Sequence, residues 1–109
     1  VNKSDSLNKN PDITLLFEAI FSLDSIEEYR RFFRDLMTEQ EIETFASRFK
    51  AAIMLSNGVP YRDIAKLTGM STATITRINN WLERGMDGYS SVITKLKESK
   101  KLSHHHHKI

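Results

Sequence analysis

The residue types that most often carry chemistry are nearly missing from the body of this 109-residue sequence. There is no cysteine, and all four histidines stand together at His104–His107. Residues 1–103 therefore hold no thiolate and no imidazole base, which excludes disulfides, Ser-His and Cys-His nucleophilic mechanisms and most metal catalysis. Acidic residues do gather, as Glu27-Glu28 and as Glu39, Glu41 and Glu43. Each group falls at a helix start, where the positive end of the helix dipole accounts for it. The chain reads as a non-enzyme without a cofactor. A run of four histidines could bind metal in isolation. An expression-tag remnant or a solvated tail is the simpler account, and no metal site is expected.

What remains is charge and hydroxyl chemistry. The formal net charge is only +2, but it is unevenly placed. Residues 12–45 carry nine Asp/Glu against three Arg, a net −6; residues 46–109 carry eleven Lys/Arg against four Asp/Glu, a net +7; residues 1–11 add +1. A basic second half suits a polyanionic partner, double-stranded DNA above all. The plainer alternative is a polar helical surface with an accidental dipole. Within that half, Tyr61-Arg-Asp-Ile-Ala-Lys-Leu-Thr-Gly-Met-Ser-Thr-Ala-Thr-Ile-Thr-Arg-Ile reads as two short helices meeting at Thr68-Gly69-Met70. A helix-turn-helix needs a small residue where the helices cross, a glycine in the turn and apolar residues that seat the second helix. Ala65, Gly69 and the set Ile64, Met70, Ile75 and Ile78 supply them.

The second helix of such a motif lies in the major groove with its first residues at the base edges. Here those are Ser71, Thr72, Ala73, Thr74 and Thr76, short groups that permit close approach. Their hydroxyls can bond bases or phosphates, and their methyls can touch thymine. Threonine costs a helix several tenths of a kcal/mol relative to alanine, so three in five residues argue mildly for use. Arg62 is the best long reader of a base or phosphate. Lys66, Arg77 and Arg84 read equally as phosphate contacts or as plain surface charges. The alternative use of the motif is against a protein partner. That would call for exposed Leu, Phe or Trp, and residues 71–77 offer Thr and Ala.

The elements that must position these groups are helices, since only two Pro and four Gly occur and no strand-like alternation is found. Asn10-Pro11-Asp12 opens the first, Ile13 to about Leu23, whose apolar residues run nearly all round it. Asp24-Ser25-Ile26-Glu27 has capping-box form for the second. Thr38-Glu39-Gln40-Glu41 is a capping box for the third, with a stripe of Ile42, Phe45, Ala46, Phe49, Ala52 and Ile53, ended by Asn57-Gly58. The fourth spans about 60–67 from Pro60. The fifth spans about 72–84 from a Ser71 cap to Gly85. The last runs from Tyr89 to about Lys97.

Length sets one domain at 12–98, with a flexible segment at 1–11 and a polar tail at 99–109. No run of 18 apolar residues is present, so no membrane span is expected. Val1–Asn10 is too polar for the apolar core of a secretory signal, and a start at Val1 rather than Met is what a trimmed N-terminus would show. A cytoplasmic location is expected.

Thr38-Glu-Gln-Glu-Ile through Ala73-Thr-Ile-Thr-Arg77 resembles the tryptophan-repressor family. Phe17-Glu-Ala-Ile-Phe-Ser-Leu and Tyr29-Arg-Arg-Phe-Phe-Arg-Asp-Leu-Met resemble its YerC/YecD-type branch. The likeness covers about residues 12–97, and Ala-Thr-Ile-Thr-Arg at 73–77 is its most specific piece. It implies an all-α, six-helix fold, an intertwined homodimer, and a helix-turn-helix from each subunit on successive major grooves of a regulated site. A second subunit would also cover the all-round apolar first helix. The family clamps tryptophan between two arginines with help from a threonine at a helix cap. Arg48, Arg77 and Thr38 match those positions, although an ion pair with Glu39 or Glu41 is the plainer use of the two arginines. Where the family has Gly and, three residues on, Ser, this chain has Ile78 and Trp81. Both fill space, so the resemblance implies a candidate pocket for some small-molecule effector and argues that tryptophan is not it.

Overall fold

A computed structural model describes residues 5–99. The expectations for 1–4 and for 100–109, His104–His107 among them, concern residues outside that range. The described residues form helices and no strand: α1 (Asp5–Asn8), α2 (Pro11–Phe21), α3 (Ile26–Leu36), α4 (Glu39–Ser56), α5 (Tyr61–Thr68), α6 (Thr72–Arg84) and α7 (Gly88–Glu98). The six expected helices are α2–α7. The single turn α1 is additional and lies within residues 1–11.

Most helices begin where a side chain can take the orphan amides. Asn10 Oδ1 accepts from the backbone N–H groups of Asp12 (2.9 Å) and Ile13 (3.4 Å), with Pro11 at the first position. Thr38 and Glu41 form a reciprocal capping box: Glu41 N–H donates to Thr38 Oγ1 at 3.1 Å, and Thr38 N–H donates to Glu41 Oε1 at 2.9 Å. The cap of α3 differs from its sequence reading. Ser25, not Asp24, accepts from the backbone, at Glu28 N–H (3.2 Å), while the Glu28 carboxylate accepts from Asp24 N–H at 2.6 Å. Ser25 is thus the cap, one residue later than expected, with the Ser-x-x-Glu spacing kept but the glutamate on the N–H that precedes the cap.

Helix ends follow backbone chemistry. At the end of α4, Val59 N–H donates to Met54 O and Gly58 N–H to Leu55 O, both at 3.0 Å. That is the Schellman pattern, and Gly58 holds the left-handed conformation it needs, at φ 80°. In α2, Ser22 Oγ donates to Ala19 O at 2.7 Å and Leu23 N–H to Ile20 O at 3.2 Å, closing the helix two residues before the expected Leu23.

The chain divides into two compact units, residues 1–45 and 46–109. Burial differs sharply between them. Among the described residues, every buried one belongs to the second: Ala51, Ala52, Ile53 and Met54 from α4, Ile64 from α5, Ile75 and Ile78 from α6, and Ile93 from α7. Phe49, Leu55, Val59, Met70, Leu82, Tyr89 and Leu96 pack around this cluster, and the Phe49 and Tyr89 rings stack at 6.4 Å. The α4 stripe is thus buried only toward its C-terminal end; Phe45 is exposed. In the first unit, α2 and α3 bury no residue. Leu15, Phe17, Phe21 and Ile26 stand in solvent, Phe21 at 91 % exposure. The same unit holds a groove of about 590 Å³ lined by Ile26, Tyr29, Phe33, Met37, Ile42 and Phe45 together with Arg30 and Arg34.

Candidate nucleic-acid interface

The turn between α5 and α6 is three residues long, and one side chain stitches it. Thr68 Oγ1 donates to Ile64 O at 2.7 Å and accepts from Met70 N–H at 3.2 Å. Gly69 then turns the chain in the left-handed region, φ 76°, with its N–H on Ala65 O at 2.8 Å. A residue with a β-carbon would be strained at that φ. Ser71 caps the next helix through Thr74 N–H at 3.1 Å. Ile64, Ile75 and Ile78 are fully buried and fix α5 and α6 to one core, with Ala65 and Met70 partly buried beside them. The seating residues read from sequence are therefore in place. The role of Thr68 is not legible in the sequence, because a threonine at a helix C-terminus carries no signal until the turn shows which amide it meets.

The outward side of α6 is polar. Thr72, Ala73, Thr76 and Arg77 are exposed, as are Arg62 and Lys66 on α5, while Thr74 is half-buried. The first turn of α6 contains no acidic residue. The hydroxyls are not equally available. Ser71 Oγ donates to Thr74 Oγ1 at 3.0 Å besides capping the helix, and Arg77 Nη2 donates to the same Thr74 oxygen at 3.2 Å. Thr72 and Thr76 stand outside this hydrogen-bonded row. Arg84 Nη1 donates to Asn80 Oδ1 at 3.0 Å, farther along the helix.

The residues of the candidate ligand pocket have distinct surroundings. Ile78 is fully buried in the core cluster, whereas Arg77 is exposed and Trp81, one turn on from it, is 49 % exposed. Arg48 is half-buried on α4. Thr38 belongs to the first unit, and its hydroxyl serves the capping box, accepting from Glu41 N–H and donating to Glu41 Oε1 at 3.2 Å. Glu39 Oε2 lies 3.8 Å from Arg34 Nη2.

Two short helices, a glycine turn and a shared isoleucine core define a helix-turn-helix within an all-α chain. The chain belongs to the Trp repressor family: the Trp repressor protein family matches residues 12–97. It is 41 % identical over 91 residues to the uncharacterised protein YerC of Bacillus subtilis (strain 168), covering 84 % of this chain and 88 % of that one. A TrpR-like protein from Eubacterium eligens ATCC 27750 superposes with a TM-score of 0.77 at 44 % identity, over 82 % of this chain and 92 % of that one. A candidate Trp repressor from Staphylococcus aureus gives 0.78 at 33 % identity, over 86 % and 94 %. No helix among the described residues is long and apolar enough to cross a membrane.

Proposed function

We propose that this protein is a cytoplasmic, sequence-specific DNA-binding transcription regulator of the repressor type. It acts as a homodimer that sets α6 of each subunit in successive major grooves of one DNA face. The observation that carries the reading is the outward surface of α6: short hydroxyl and methyl side chains with Arg77, no acid in the first turn, and Arg62 and Lys66 on the neighbouring helix. Family membership supports it, as does the net +7 of residues 46–109. A protein-docking use is less favoured, since residues 71–77 present no large apolar side chain outward. The dimer rests on α2 and α3, which bury nothing while carrying exposed Leu15, Phe17, Phe21 and Ile26. Apolar surface of that extent finds cover in a second copy.

Free tryptophan is not the effector in this reading. Ile78 is fully buried in the core and brings a branched side chain to the position where the family has glycine. Selection of bound sequences from a pool of random duplex DNA tests the function. A palindromic site with half-sites about one helical turn apart is expected. Recovery of no enriched sequence at low salt would overturn the reading.

A further inference from the structure

Ser71, Thr74 and Arg77 stand three residues apart and so share one side of α6. Their side chains form a hydrogen-bonded row with Thr74 at its centre. The Thr74 oxygen accepts from Ser71 Oγ at 3.0 Å and from Arg77 Nη2 at 3.2 Å. A threonine hydroxyl has two lone pairs and one proton. With Ser71 Oγ and Arg77 Nη2 both within hydrogen-bond distance, the Thr74 oxygen has little capacity left for a base. Arg77 is in the opposite condition. A guanidinium carries five N–H donors and this contact uses one, while the side chain stays exposed. An arginine on a helix surface is ordinarily spread over many rotamers. Here the acceptor three residues back draws its head toward the first turn of α6, the end that meets DNA in a helix-turn-helix.

We propose, on the DNA-binding reading given above, that Thr74 is a positioning residue for Arg77 and that Arg77, so held, takes a DNA phosphate at the rim of the groove. Thr74 acts through Arg77 and does not read a base. The division follows from donor and acceptor capacity. A fork of free N–H groups matches phosphate oxygens, whereas a hydroxyl held between two neighbouring side chains is a poor discriminator of bases.

The test uses Thr74→Val and Thr74→Ser, because valine keeps the shape and the backbone N–H that Ser71 caps, and serine keeps the hydroxyl. Binding is measured against salt concentration on a selected duplex and on a random-sequence duplex of equal length. Thr74→Val should weaken both by a similar factor, roughly tenfold. It should lower the slope of log affinity against log salt by about 0.9 for each phosphate that is no longer neutralised. Thr74→Ser should restore most of the affinity and the slope. In an Arg77→Ala background, Thr74→Val should add nothing, since the two residues act as one. A Thr74→Val protein that keeps its slope but loses preference at one base pair overturns the proposal and makes Thr74 a base reader. Additive losses in the double variant overturn it as well. Failure of the unaltered protein to bind either duplex at low salt overturns the DNA reading and the proposal with it.

Discussion

The backbone carbonyl of Trp81 occupies the space that a β-carbon on residue 85 would need. Gly85 donates its N–H to that carbonyl at 2.9 Å, and a side chain there would run into the oxygen and its carbon. The contact ends α6 and sets the start of the connection to α7, whose Ser90 Oγ returns a bond to Leu82 O at 3.3 Å. The obstacle is backbone, not a flexible side chain. Gly85→Ala is therefore expected to cost about 1–3 kcal/mol, read as a lower denaturant midpoint at an unchanged m-value. Wild-type stability of that variant would show that the connection can shift freely.

The exposed aromatic residues of α2 provide a test of the dimer that does not depend on DNA. Phe17 is 60 % exposed and Phe21 91 % exposed in the single chain. A charge at either would therefore do little harm to a monomer. If a second copy covers them, Phe17→Glu and Phe21→Glu bury an unpaired carboxylate, at a cost of several kcal/mol. Sedimentation at micromolar concentration should give about twice 12.6 kDa for the wild type and a large loss of that species for each variant. A wild-type monomer, or variants that assemble normally, would refute the interface.

On α6, Thr72 is exposed in the first turn, and Lys66 on α5 is exposed as well. Thr72→Ala should relax preference at a base position by about 1–3 kcal/mol while leaving the salt slope in place. Lys66→Ala should weaken all sequences alike and lower the slope. Exchange of these two behaviours would mean that α5, not α6, lies in the groove.

Titration calorimetry with L-tryptophan is expected to show no saturable binding. Ile78 is fully buried in the core cluster, so it cannot be removed cheaply. Truncating such an isoleucine costs about 2–5 kcal/mol, and glycine in a helix interior adds about 1 kcal/mol. Ile78→Gly with Trp81→Ser should therefore melt well below the wild type and gain weak indole affinity only at low temperature. Saturable binding by the unaltered protein in the tens of micromolar, coupled to tighter DNA binding, would reverse this conclusion.

Interactions between near neighbours were legible from residue type and spacing. The cap at Asn10, the box of Thr38 and Glu41, the left-handed glycines 58 and 69 and the Ser71 cap involve neighbours no more than five residues apart, so residue type and spacing suffice to read them. The α5–α6 motif was legible for the same reason, because its turn and its seating isoleucines lie within one short stretch. Even locally, Asp24 and Ser25 could compete for one role, and only geometry chose Ser25. Tertiary structure decided which apolar residues are core. The stripe of α4 looks uniform in sequence, yet Ala52 and Ile53 are buried while Phe45 is exposed, because burial depends on which partner surface arrives. It also decided the state of the candidate site. Thr72 and Thr74 are alike in sequence. One stands exposed to solvent, and the other is half-buried with its oxygen bonded to Ser71 and Arg77, since a hydroxyl's capacity is set by the groups that the folded helix turns toward it.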